Sequence, residues 1–308
     1  MVAHRYGALA AIPLLMVTAV VTISAASRGE IGLTADVRVT SGSKIHPAAF
    51  TRSGGTVTSV AHRGASGYAP ENTIPAVRLG QRQDADLIEI DVHLTRDDVL
   101  VVMHDATLRR TTDAERVFPD RGPWRIRDFS YAEIQRLDAG SWFDDSFAKT
   151  PVPTLDQVLD TLEEGSAGLL LEVKKPGLYP GIGDRVASHL ADRADRWRLQ
   201  DRRMLVCSFD WEFVKEFKLG MPAVKVAAIG APAYDSLPSV ATYADLVNPG
   251  FGTVSARYLE RVHELGMESY GWTVDEAEDM RELLSIGADG VVTNKPDVLD
   301  EVLELGRV

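Results

Sequence analysis

Residues 60–77 read VAHRGASGYAPENTIPAV, and the fold turns on how that stretch divides. A short apolar run stops on His62-Arg63-Gly64, crosses small residues, and restarts at Glu71-Asn72-Thr73 before an apolar helical pattern. That is a strand, a loop and a helix, the repeating unit of a parallel α/β sheet. A strand that needed only to turn could use glycine and asparagine. This one sets an imidazole, a guanidinium and a carboxylate at its exit. Ile74, Val77 and Leu79 are the residues expected to face the sheet.

Working outward, the same alternation recurs. Candidate strands are Ser59–His62, Leu87–Asp91, Leu169–Val173, Met204–Cys207, Val224–Ile229, Asp245–Val247, Glu268–Trp272 and Gly290–Val292. Helical patterns such as TLDQVLDTLEE, ARYLERVHELG and EAEDMRELLSIG lie between them. Eight strands with intervening helices in about 250 residues is the arithmetic of a (β/α)8 TIM barrel. A doubly wound sheet is the rival, but no G-x-G-x-x-G turn follows the first strand. Residues 57–308 are therefore read as one barrel with a small insertion, 105–153, after the second strand's hairpin. Trp124, Phe129, Tyr131, Leu137, Trp142 and Phe143 could give that insertion a core.

Upstream, His4 and Arg5 precede an uncharged apolar run from Tyr6 to Ser27, so residues 1–27 read as a signal peptide or N-terminal anchor. Residues 28–56, rich in Ser, Thr and Gly, read as a flexible linker. The expectation is an exported protein, secreted or attached to the outer face of the cell membrane, touching membrane only through such an anchor. The formal charge of −12 disfavours nucleic acid and anionic membranes as partners. An anionic substrate would need local positive groups or a metal. Cys207 is the sole cysteine, which excludes an intramolecular disulfide and a CxxC metal site.

Barrel sites form at strand exits. In LIEIDVHLT, Glu89, Asp91 and His93 alternate with apolar residues and share a face; in LLLEVKK, Glu172 and Lys174 do the same. Three acidic groups at neighbouring strand ends resist desolvation, and a divalent cation resolves that; all-oxygen ligands favour Ca²⁺ or Mg²⁺ over zinc. Alternatively, Glu89 and Asp91 form ordinary ion pairs, and Glu172 and Lys174 a salt bridge. In HLTRDDVLVVMHD, a two-residue turn at Asp97-Asp98 predicts a hairpin that sets His104 opposite Asp91. One register step would turn His104 away. His93 and Asp105 read as structural or supporting residues. Trp272 either packs in the core or walls a substrate pocket.

Taken in order, AHRGASGYAPENT, IEIDVHLTRDDVLVVMHD, LEVKKP and GADGVVTNKPD resemble the motifs of the glycerophosphodiester phosphodiesterases, over about residues 58–305. The resemblance implies metal-dependent hydrolysis of a glycerophosphodiester to glycerol 3-phosphate and an alcohol. It implies His62 and His104 as the acid/base pair, with His62 as base and His104 as acid. Glu89, Asp91 and Glu172 would be the metal ligands, with one divalent ion, Ca²⁺ in preference to Mg²⁺. Arg63 and Lys174 would contact phosphate, and Glu71 would lie near the metal or the catalytic network. Lysophospholipids or glycerol-phosphate polymers are alternative substrates, and a non-catalytic glycerophosphodiester-binding barrel is the alternative of another class. The hairpin departs from the family pattern, with Asp97-Asp98 where Asp-Gly is usual and Leu100 where proline is common.

Overall fold

The computed structural model describes residues 57–199 and 203–305. The expected export segment, 1–27, and linker, 28–56, lie outside the described residues.

The strands are β1 (Thr58–Ala61), β2 (Leu87–Leu94), β3 (Leu100–Val102), β4 (Gly168–Val173), β5 (Met204–Ser208), β6 (Lys225–Ile229), β7 (Leu246–Asn248), β8 (Glu268–Gly271) and β9 (Gly290–Thr293). All but β3 run parallel, in the order β1-β2-β4-β5-β6-β7-β8-β9, and β9 pairs back onto β1. That closure makes the (β/α)8 barrel expected from the alternation. Every expected strand falls within one residue of an observed one, except that β2 runs on to Leu94.

The helices are α1 (Ile74–Arg82), α2 (Ala114–Val117), α3 (Tyr131–Ile134), α4 (Leu155–Glu163), α5 (Ile182–Leu199), α6 (Trp211–Gly220), α7 (Leu237–Val240), α8 (Ala256–Glu264), α9 (Ala277–Ser285) and α10 (Pro296–Leu305). Strand periodicity sorts the side chains into two layers. Ile88, Ile90 and Val92 of β2 pack outward among the helices, while Leu87 joins Val60, Leu170, Leu205 and Tyr270 inside the barrel. Glu89 and Asp91 share the inward face with Leu87, nearer the strand's exit. Helix α1 buries Ala76, Val77 and Gly80 rather than Leu79, which is only partly covered.

Gly64 has a steric duty. Its φ is +78°, and a Cβ there would lie 2.4 Å from the carbonyl carbon of Ala76. The glycine is required by the close approach of α1, not only by a turn near a ligand.

The hairpin register differs from expectation by one residue. β2 and β3 pair Val92 with Val102, His93 with Val101 and Leu94 with Leu100. The turn holds residues 96–98 between Thr95 and Val99, closed by Thr95 N–H donating to Val99 O at 3.0 Å. Asp98 takes the left-handed position, φ +61°, where a three-residue turn of this kind usually has glycine. The extra loop residue sets Met103, not His104, against Asp91, with Met103 N–H donating to Asp91 O at 2.9 Å.

The insertion has its own core of Leu108, Phe118, Ile126, Phe129, Ile134 and Leu137, packed on Val101 and Met103 of the hairpin arm. Trp124 and Tyr131 edge it. Trp142, expected inside, is 41% exposed and stacks edge-on with Phe143.

Candidate active site

The exits of β2 and β4 bring three buried carboxylates together. Asp91 and Glu172 are register partners, and Glu89, Asp91 and Glu172 each offer an oxygen within 4.8 Å of the others. Burial first, and then the other two carboxylates, pushes Glu89 well above the usual carboxylate range. Burial and Asp91 push Glu172 up to about 7. Against its own burial, Asp91 is held down at about 2 by Lys174, Arg63, His104 and Asn72. Two of the three carboxylates thus resist ionisation in the bare protein. A dication would relieve that resistance, and an all-oxygen donor set fits a hard divalent ion.

Cationic groups border the cluster. Lys174 Nζ lies 2.7 Å from Glu172 Oε1 and 3.4 Å from Asp91 Oδ1. Arg63 reaches it twice, through backbone N–H donating to Glu89 Oε2 at 2.8 Å and through Nε 3.5 Å from Asp91 Oδ2. Arg63 itself adopts φ +56°, the left-handed region.

His62, one residue past β1, anchors its backbone N–H on Thr293 O at 2.8 Å. Its Nδ1 lies 2.7 Å from Asn294 Oδ1. Asn294 Oδ1 also accepts from Ser66 Oγ at 2.7 Å, and its Nδ2 donates to Asp275 Oδ2 at 2.7 Å. With Asn294 oriented by Asp275 in this way, its oxygen accepts the Nδ1 proton of His62, which leaves Nε2 as the basic nitrogen. Burial, then Arg63, pushes the His62 imidazole down to about 4.

His104 leaves the β3 arm where the chain bends into the insertion. Its Nδ1 lies 2.7 Å from Asp105 Oδ1, which directs Nε2 away from that carboxylate. The backbone carbonyl of His104 accepts from His93 Nε2 at 3.1 Å, giving the buried His93 a supporting place. Against its burial, Asp105 is held down at about 2 by Arg110 and His104. Glu71 lies outside the three-carboxylate cluster. It is gripped by Arg63 Nη1 at 2.9 Å and by Arg110 Nη2 at 2.7 Å.

A cavity of about 1010 Å³ opens beside this network, lined by His104, Glu172, Lys174, Pro176, Phe209 and Trp211 among others. Phe209 is 54% exposed and meets the edge of Trp272 at 5.6 Å between ring centres. Trp272, its indole N–H donating to Asn248 O at 2.6 Å, backs that rim.

Five residues of the site went unassigned in the sequence. Asn72 stands beside Glu71 inside AHRGASGYAPENT and Asn294 inside GADGVVTNKPD, so those motifs were an available signal, while Asp275 immediately precedes the helical pattern EAEDMRELLSIG. Arg110 lies in an insertion with no periodic pattern, and Phe209 follows β5 as one apolar residue among many. Nothing local marked either.

The sequence pattern of the glycerophosphoryl diester phosphodiesterase family matches residues 62–298. A glycerophosphodiester phosphodiesterase of Bacillus subtilis (strain 168) is 32% identical over 261 residues, covering 80% of this chain and 86% of that protein. One from Caldanaerobacter subterraneus subsp. tengcongensis is 31% identical, covering 80% and 98%. Among solved structures, an Oleispira antarctica phosphodiesterase in complex with the product sn-glycerol-3-phosphate aligns with a TM-score of 0.70 at 25% identity, covering 80% of this chain and 96% of that one. An Agrobacterium tumefaciens glycerophosphodiester phosphodiesterase aligns at 0.65 with 28% identity, covering 82% and 100%.

Proposed function

The chain belongs to the glycerophosphoryl diester phosphodiesterase family, and from that premise we propose that it cleaves glycerophosphodiesters to glycerol 3-phosphate and an alcohol by metal-assisted acid/base catalysis between two histidines. It is a phosphoric diester hydrolase of glycerophosphodiesters; the metal, the division of labour and the products are our reading. One observation carries it. Two histidines, each with Nδ1 tied to a fixed oxygen, lie within electrostatic reach of Asp91 in a buried acidic cluster.

His62, neutral above about pH 4, takes the proton of the attacking hydroxyl on Nε2. In a first step that hydroxyl is the glycerol 2-OH; in a second, water opens the cyclic phosphate with the roles reversed, His104 taking the water's proton and His62 returning its own to the glycerol 2-oxygen. His104, braced by Asp105, delivers a proton from Nε2 to the departing oxygen, so the alcohol does not leave as an alkoxide. Arg63 steadies the phosphate. A divalent ion held by Glu89, Asp91 and Glu172 would supply charge compensation for the non-bridging oxygens. Ca²⁺ is the preferred ion, because an exported enzyme meets it in plenty; the uncharged run after His4 and Arg5 supports export.

The cavity beside Phe209 and Trp211 favours, as a second reading, a bulkier substrate of the same class such as a lysophospholipid. The test is release of glycerol 3-phosphate from glycerophosphocholine after chelation and again with Ca²⁺ or Mg²⁺ restored, with His62→Ala as control. Metal-dependent release lost in the variant is the expected result. Undiminished release in the presence of chelator would overturn the metal role.

A further inference from the structure

We infer that Arg110, supplied by the insertion, is a positioning residue that holds the acid His104 in register with the phosphate-binding Arg63. The inference rests on the acid role given above to His104. Four hydrogen bonds define the arrangement. Arg110 donates to Asp105 from Nε at 2.9 Å and Nη2 at 3.1 Å, and to Glu71 from Nη1 at 2.8 Å and Nη2 at 2.7 Å. One guanidinium therefore clasps two carboxylates along two of its edges. Each carboxylate has a second duty: Asp105 holds His104 Nδ1, and Glu71 holds Arg63 Nη1. The sequence of contacts is Arg63, Glu71, Arg110, Asp105, His104.

The Glu71–Arg110 link is the one that crosses between elements. Arg63 follows β1, Glu71 precedes α1, and Asp105 and Arg110 open the insertion. No barrel strand carries His104, and its backbone is past the last β3 pairing at Val102. Its placement thus depends on side-chain contacts to a degree that Glu89 and Asp91, set in β2, do not share. Lysine at 110 would keep the charge but could not span both carboxylates with paired N–H groups. Misplacement of a proton donor by about 1 Å can cost on the order of 10²-fold in rate.

Leaving-group dependence separates positioning from mere support of the fold. A 4-nitrophenolate leaves without a proton, whereas choline departing from glycerophosphocholine needs one. The experiment compares kcat/KM for glycerophosphocholine and for glycerol 3-phosphate 4-nitrophenyl ester in the wild type, His104→Ala, Arg110→Lys and Arg110→Met, with thermal melts of each. His104→Ala is expected to lose about 10²–10⁴-fold on glycerophosphocholine and far less on the nitrophenyl ester. Arg110→Met should show the same asymmetry, with at least about tenfold loss on the alkyl ester, and Arg110→Lys should fall between. Equal loss by Arg110→Met on both esters, or no loss on either, overturns the positioning role while the acid assignment stands. If His104→Ala itself fails to discriminate the two esters, the acid assignment fails and the role of Arg110 falls with it.

Discussion

Asn72 clasps Asp91 at two points: its Nδ2 donates to Asp91 Oδ2 at 2.8 Å, and its Oδ1 accepts Asp91 backbone N–H at 3.1 Å. Both residues are buried. The side chain of a turn residue, itself at φ +59°, thus substitutes for a strand partner of β2 beyond the last β1–β2 pair, Ala61 with Ile88, and fixes the orientation of a carboxylate of the acidic cluster.

Asn72→Ala removes that clamp. Outer partners of metal ligands typically contribute 10–100-fold in affinity, so calorimetric titration of the folded variant with Ca²⁺ or Mg²⁺ should show a loss of that order. Unchanged affinity would show that Asp91 needs no such orientation.

With His62 pushed down to about 4, the acid limb of kcat/KM at saturating metal should fall near that pH rather than near 6.5. The sign is that of a base: turnover declines as pH drops through the folded-state value and the imidazole gains a proton. Asn294→Ala leaves Nδ1 without its acceptor, and turnover should fall while the acid limb stays in the acidic range. An acid limb at 6.5 in the wild type would remove His62 from the base role.

Metal binding should tighten as pH rises toward about 7, because Glu172, raised to about 7 by burial and Asp91, must shed a proton to act as a ligand. For the bare protein the linkage runs the other way. A carboxyl raised in the folded state gives a contribution intact below about 4.5 and lost by about 7. The gap in Tm between metal-loaded and chelated protein should therefore widen from pH 5 to pH 7. A gap that narrows over this range would contradict a Glu172 carboxyl raised by burial and Asp91.

Gly64→Ala forces a methyl to within 2.4 Å of the α1 backbone and puts alanine at φ +78°. Overpacking and the left-handed backbone together should cost about 2–4 kcal/mol. At this size that is a fall of roughly 5–15 °C in Tm, readable by thermal melt. A melt unchanged within about 1 °C would show that α1 can shift without penalty.

The barrel was legible because its signal is redundant: eight apolar runs and their helices each point to one architecture, and an error of one residue at a strand end changes nothing. The carboxylate cluster was legible for a related reason, since alternation along β2 and β4 settles which side chains face inward. The hairpin was not. A single added loop residue shifts the whole register, and Asp98 in a left-handed conformation leaves little trace in composition. Arg110 escaped because its contacts depend on where an irregular insertion folds back, whereas Asp105, read as a supporting residue, is seen holding His104 Nδ1. Lys174 shows a further limit. Motif likeness suggested phosphate, whereas spacing also allowed the contact seen with Glu172, and no sequence argument decides which partner an ammonium prefers.

His62 takes its orientation from the opposite end of the barrel sequence. His62 and Asn294 are 232 residues apart in sequence and meet only when β9 closes on β1. On the ribosome the three clustered carboxylates and both histidines emerge well before Asn294 does. A nascent chain can therefore assemble much of the charged cluster while His62 is still unoriented, and the site is complete only with the closing strand. For the same reason a circular permutant that links α10 to β1 and opens the barrel at another strand junction would change that order, bringing His62 and Asn294 together earlier in synthesis.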